Sequence, residues 1–417
     1  MTRSHSFFTL GTALLAFAAA AQASTYGDNL LGVGPSARSL AGNGSAAPQD
    51  ALAALTGNPA GLDGLPAGGA ELDVAATFFL PHVTAQVGAL TASSASKTYL
   101  IPGLAYVVPR PGKEEPWSFG VGAVGVSGLG VDYRRTSLDT TLAASPYPLV
   151  AGSYTQLQIL DVVPAAAYRI SPDWSVGLAG HADYGRLNLG SGTKHGFGYG
   201  VQPGVTFRAS EHVSLSFSYV SSLGINYPGV TDFDGNGTAD SLKLAAPEQY
   251  RFGLAYHPVP ELLLVSDVQR VNWGGATGYK DFGWQNQTVW GAGLQYQAIP
   301  GRLTVRAGYS YGGNPVKEHN GFDGTGSPAN VTNVQGKWIN NYYYETFRLI
   351  GFPAIVEQHL GLGLSYRLTP ASSLDFGYTR AFRKTVSEQG KNLLGTSVTL
   401  SSGLSEDSFE LGWVQHF

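Results

Sequence analysis

The chain has 417 residues, 56 of them glycine, with no cysteine, 13% charged residues and a formal net charge of -4. The missing cysteine excludes disulfides, thiol catalysis and thiolate metal sites, and the acidic balance argues against a nucleic-acid partner. No stretch beyond the N-terminus is apolar for the ~20 residues a membrane helix needs.

In chain order, Arg3 and His5 precede an apolar run from Phe7 to Ala21, and Ala21-Gln22-Ala23 is an A-x-A cleavage signal. Residues 1–23 therefore read as a secretory signal peptide, with Ser24 as the mature N-terminus. Residues 24–66 show no strand alternation and carry a short helix predicted over Ala46–Leu55. The segment is too apolar and too poor in charge to favour disorder. A plug inside a lumen is the favoured reading, and a periplasmic extension is the alternative.

From residue 67 the pattern changes to period two, the signature of a strand with two unlike faces. Leu215, Phe217 and Tyr219 alternate with Ser214, Ser216 and Ser218. Phe409, Leu411, Trp413 and Phe417 alternate with Glu410, Gly412 and His416. Fourteen such strands are expected near 71–83, 98–108, 117–129, 152–170, 173–189, 195–209, 212–225, 245–257, 261–272, 286–299, 301–312, 353–369, 372–386 and 404–417. Short turns such as Pro111–Glu114 and Thr369-Pro370-Ala371 alternate with mostly long loops, among them 130–151, 226–244, 313–352 and 387–403. A greasy exterior, a wet interior and an even strand number define an all-β transmembrane antiparallel barrel of about 14 strands spanning 67–417, in a Gram-negative-type outer membrane.

Four groups of residues carry candidate chemistry. Asp232, Asp234, Asn236, Thr238 and Asp240 follow the opening of an EF-hand Ca²⁺ loop, but Lys243 stands where its bidentate glutamate belongs, and strands flank it instead of helices. An acidic turn is the bland alternative, and no other cofactor is expected. Gly120–Gly125 fits G-x-G-x-x-G inside a strand with no following helix, which removes the dinucleotide reading. His181 and Asp183 share an inward face, which reads as polar lumen lining; no G-x-S-x-G accompanies them, so a hydrolase is not expected. Loop 313–352 holds Trp338, Tyr342, Tyr343, Phe347 and Phe352, read as exposed aromatics that form either a hydrophobic uptake groove or a cover over the barrel mouth, with the groove preferred. Arg348 in the same loop is read as solvated or as a partner for a ligand carboxylate.

The stretch Gly32–Ala46, followed by Asn58-Pro59-Ala60-Gly61-Leu62, resembles the N-terminal region of the FadL/TodX family of outer-membrane transporters. Ile101–Pro109 leading to Trp117–Gly122, Ala246–Gly253, and Arg306–Tyr311 ahead of Asn314-Pro315-Val316 are similar in the same order. The resemblance implies passive uptake of a hydrophobic molecule (fatty acid, arene or alkane) by a monomer embedded in outer-membrane lipid. It further implies an N-terminal hatch whose Asn58, Pro59 and Ala60 lie against an inward kink of the third strand. That kink opens the wall sideways, at Gly120, Gly122, Gly125 and Gly128. A general diffusion porin, or a barrel of the same fold serving protein secretion or surface attachment, remains the alternative.

Overall fold

The computed structural model describes residues 25–67, 69–110, 115–139 and 152–417. The signal peptide and the turn at 111–114 lie outside the described residues. Fourteen antiparallel strands close into one barrel. They are β1 (Glu71–Val87), β2 (Tyr99–Val108), β3 (Trp117–Asp132), β4 (Tyr154–Arg169), β5 (Trp174–Asn188), β6 (Thr193–Arg208) and β7 (Val213–Val220). The ring continues with β8 (Gln249–Val259), β9 (Leu262–Val271), β10 (Gln287–Ile299), β11 (Leu303–Gly312), β12 (Gln358–Thr369), β13 (Ser372–Lys391) and β14 (Ser397–His416). Closure is made by β14 on β1, in register from His416↔Glu71 to Leu400↔Val87. Closure leaves no terminal edge strand, as the hydrocarbon core requires.

The two faces sort as the alternation demands. Phe252, Phe409, Leu411 and Trp413 point out and are exposed, while Glu410, Ser408, Asp267 and Thr379 point in and are buried. An outward apolar face is cheap against lipid, and inward polar groups find partners on the plug.

Three expectations need correction. Residues 387–391 and 397–403 are strand rather than loop, because β13 and β14 continue pairing out to Lys391↔Ser397 and leave only a tight turn at 392–396. Residues 223–246 form no open outer loop. Leu223–Thr231 and Asp240–Ala246 make a hairpin, and it turns into the lumen. Inward glycines of β5 and β6 make room for it: a Cβ on Gly185 would lie 2.9 Å from Ile225 Cδ1, and one on Gly196 2.6 Å from Ile225 Cγ2. The plug helix starts at Ala51 rather than Ala46, since Asp50 is its N-cap and accepts from the Ala53 amide at 2.8 Å.

The N-terminal segment fills the barrel. A two-residue ladder (Thr25–Tyr26 with Asn29–Leu30) is followed by α1 (Pro35–Ser39), α2 (Ala51–Gly57) and a 3₁₀ turn (Pro59–Gly64). The wall satisfies the plug's backbone. The first amides of α2 donate to β1 carboxylates, Ala51 N to Glu71 at 2.8 Å and Leu52 N to Asp73 at 3.1 Å, which is where a helix N-terminus favours anions. At its other end, Gln202 Nε2 donates to the Gly57 carbonyl at 3.1 Å.

Candidate functional site

Among the described residues, strand pairing lapses between β2 and β3, as it also does along the upper part of β6, which pairs with β7 only up to Gly204↔Ser218. Pairing of β2 with β3 runs from Val108↔Phe119 to Gly103↔Val124 and stops there. The next β2 residue is Pro102, which has no N–H to offer. On its other side β3 shifts register against β4 between Gly125 and Ser127, a bulge at Val126 that bends the strand. The freed edge of β3 takes a plug residue instead, with Asn29 opposite Ser127. Above the gap, Ala95 N donates to the Asp132 carbonyl at 2.7 Å and recloses the wall. The unpaired edge spans on the order of 20 Å of strand. Leu30 packs behind it against Phe79, Tyr99 and Ile101.

Beside this lapse in pairing lies a cavity of ≈ 170 Å³ between plug, wall and lumenal hairpin, bordered by Val126 and Ser127 of the bulge. Leu30, Val33, Ile159, Leu223, Ile225 and Leu244 give it an apolar side, and Asp161, His181, Asp183 and Gln202 a polar one. A much smaller apolar pocket nearer the outer loops shares Leu244 and Tyr279 with it and is also lined by Phe282, Trp284 and Phe352.

The expected site residues distribute unevenly over this geometry. Gly125 and Gly128 flank the bulge. Gly120 and Gly122 do not; they lie where β3 is paired on both sides. There a Cβ on Gly120 would stand 2.7 Å from Val107 Cγ1 and 3.0 Å from Leu55 Cδ2. Their bareness lets α2 press against the wall. The Asn58-Pro59-Ala60 motif is likewise displaced from the expected kink. Asn58 donates to Val205 O at 3.3 Å and to Thr206 Oγ1 at 3.2 Å, both on β6, and caps Ala60 N at 3.1 Å. A Cβ on Gly177 would lie 2.3 Å from Ala60 N. The motif seats the plug on β5 and β6, and Asp28–Asn29 meets the kink in its place.

The aromatics of 313–352 were expected to be exposed, and most are not. Tyr342 and Phe347 are buried, and Trp338 is 60% exposed. A helix, α3 (Asn341–Thr346), and the π-turn after it fold the segment down onto Phe282 and Leu349. Phe347 packs at 5.1 Å from Phe282 and 5.3 Å from Phe352. Arg348 is neither solvated nor open to a ligand, being fully buried in ion pairs with Glu345 (2.5 Å) and Glu388. Arg348 is neutralised by Glu345 of the segment and Glu388 of β13, and the segment's rings pack on one another and on Phe282.

Asp232, Asp234 and Asp240 do converge, with carboxylate oxygens within 4.8 Å of one another on the exposed hairpin tip. Asp232 is held below the usual carboxylate range chiefly by the Gly237 amide, with those of Gly235 and Asn236 adding to it.

Two anchors carried no motif. Arg38, buried, pairs with Glu410 at 2.5 Å and donates to Ser408 at 2.8 Å. Asp63, 1% exposed, is held by Arg110 (3.1 Å), Arg169 (2.9 Å) and Arg208 (3.2 Å) from β4, β6 and the end of β2. Inward-facing arginines at the short-turn ends of strands, opposite a lone plug carboxylate, were the signal available for the second.

A closed barrel with an apolar exterior and a filled lumen is the architecture of an outer-membrane β-barrel protein. Residues 12–194 match the family model described as outer membrane protein transport protein (OMPP1/FadL/TodX), and over that stretch the chain is similar to that family. Among solved structures it is similar to the toluene transporter TodX of P. putida, with TM-score 0.67 and 17% identity over 93% of this chain and 99% of that one. The toluene transporter TbuX of Ralstonia pickettii gives 0.64 and 18%, over 93% and 98%. A FadL homologue from Pseudomonas aeruginosa gives 0.68 and 13%, over 93% and 99%. At these identities the likeness is one of fold. No curated protein matches the chain by sequence.

Proposed function

We propose that the chain is a passive channel that takes hydrophobic small molecules, of the fatty-acid or aromatic-hydrocarbon kind, from the outer face into the lumenal cavity and releases them sideways into the membrane between β2 and β3. The observation that carries this reading is the contact of the cavity with Val126 and Ser127, where strand pairing lapses. An apolar ligand gains about 25 cal/mol per Å² of apolar surface on entering such a cavity and forfeits it on leaving into water. A side exit into lipid removes that forfeit. The small apolar pocket under the outer loops supplies a first stop, and Leu244 and Tyr279 connect it to the cavity. The named neighbours TodX and TbuX are toluene transporters, which supports an apolar cargo.

The test is Gly125→Val and Gly128→Val on correctly folded protein, with ligand binding and cellular uptake measured separately. Binding is expected to persist while uptake falls to background. Unchanged uptake would place the exit elsewhere, and loss of both would assign these glycines to the pocket or the fold.

A further inference from the structure

The lumenal cavity contains more polar machinery than a hydrocarbon needs. Asp161 and Asp183 stand directly opposite each other on β4 and β5 and are both buried. Among the described residues Asp183 forms no ion pair. The nearest histidine is already used: His181 Nδ1 meets Asp161 Oδ2 at 2.6 Å, and its Nε2 faces Gln202 Oε1 at 3.2 Å. Gln202 is fixed in that orientation because its amide donates to Gly57 O.

Two buried donors lining the same cavity have no acceptor at all, the Asn29 side-chain amide and the Trp273 indole N–H. Trp273 is fully buried and wedged between Tyr279 and Trp284, with ring centroids at 4.6 and 4.9 Å. The cavity's remaining charges are Asp28, whose carboxylate accepts from Tyr279, and Arg251, whose guanidinium donates to Gln269 at 2.8 Å. Three carboxylates thus face one imidazole and one guanidinium already turned to a wall amide.

We propose that this cavity takes an apolar molecule bearing a neutral hydroxyl group, a phenol or an alcohol, in preference to the matching hydrocarbon or carboxylate. The inference rests on the reading of the chain as a channel for hydrophobic molecules and narrows its cargo. A hydroxyl donates to a buried carboxylate and accepts from an indole or amide N–H in the same site. A hydrocarbon leaves these groups unsatisfied, which is where binding sites discriminate most strongly. A carboxylate has no proton to donate at neutral pH, so it satisfies the N–H donors but offers the Asp161–Asp183 pair no hydroxyl.

The experiment is calorimetry on the full chain in detergent with 4-propylphenol, propylbenzene and 4-propylbenzoate at pH 7. The phenol is expected to bind roughly ten-fold or more tightly than either analogue. Asp183→Asn and Trp273→Phe should each reduce the ratio of phenol to propylbenzene affinity several-fold. Should Asp183→Asn fail to fold, Trp273→Phe and the wild-type series decide alone. Tightest binding of the benzoate would overturn the proposal and point to Arg251. Equal binding of phenol and hydrocarbon would overturn it too, with the channel reading intact. Binding of none of the three would overturn both.

Discussion

Asp63 shows how much one plug residue can hold. Three arginines from separate strand ends converge on a carboxylate that water does not reach. Asp63→Asn leaves those cations facing each other, and charged hydrogen bonds are worth about 2 kcal/mol each. We expect the plug of that variant to be cut by protease under conditions where wild type resists, with the barrel intact. Gly120→Val is the matching test of packing. Its new carbons must push Val107 and Leu55 aside, a cost of about 1–3 kcal/mol. Stability should fall while the uptake of surviving folded protein stays normal, the reverse of the Gly125 and Gly128 variants. For Asp232, amide donors favour the ionised form, so its folded value lies below the unfolded one. Its ordering of the hairpin tip is therefore fully present above the ordinary aspartate range and lost as pH falls through the depressed value. The protection factors of the Gly235–Gly237 amides, corrected for the intrinsic pH dependence of exchange, should fall as pH drops through the depressed Asp232 value and stay constant around neutrality. The proposed Ca²⁺ binding at this tip should give a calorimetric heat that Asp232→Ala/Asp234→Ala abolishes.

At the level of elements, the plug is tied to the wall by complementary ends. The N-terminus of α2 points at β1 acids and its C-terminus at Gln202, so the macrodipole meets fitting groups at both poles. The 3₁₀ turn after it depends on Asn58, which both caps the turn and reaches β6. Asn58→Ala should lose about 1–2 kcal/mol, as N-cap deletions do. Its consequence is expected in hydrogen exchange of residues 58–64 before it is seen in uptake. Uptake unchanged with exchange raised would make the motif an anchor and remove it from gating. The bulged β3 works in the opposite sense. It forgoes ladder bonds, and the lost edge is partly recovered by Asn29.

The whole molecule is a barrel wall plus a cork. Circular dichroism dominated by strand, with heat-modifiable migration, is expected of the former. Deleting residues 25–66 should leave that signature unchanged and raise single-channel conductance markedly, because Glu71, Asp73, Asp267 and Glu410 would then line open water instead of plug amides and Arg38. Unaltered conductance would mean that the plug does not close the pore and would favour the diffusion-porin alternative.

All fourteen strands were legible in the chain, since a strand between lipid and lumen must alternate at every residue. So were the small residues of the plug and the convergence of Asp232, Asp234 and Asp240, which lie within nine residues of one another. What the linear pattern could not convey was which partner each small or polar residue would meet. Gly120 and Gly125 sit in one glycine-rich strand, yet one makes room for Leu55 and the other begins a bulge, and only the register against β2 and β4 separates them. Residues 223–231 alternate like wall strands but turn inward, because bare glycines on β5 and β6 leave space that Ile225 and Tyr227 fill. The aromatics of 313–352 looked exposed because their covering lies on other loops. Periodicity is a local property and is written in the sequence; burial, register and charge pairing join residues as far apart as Arg38 and Glu410, and those only closure of the barrel could decide.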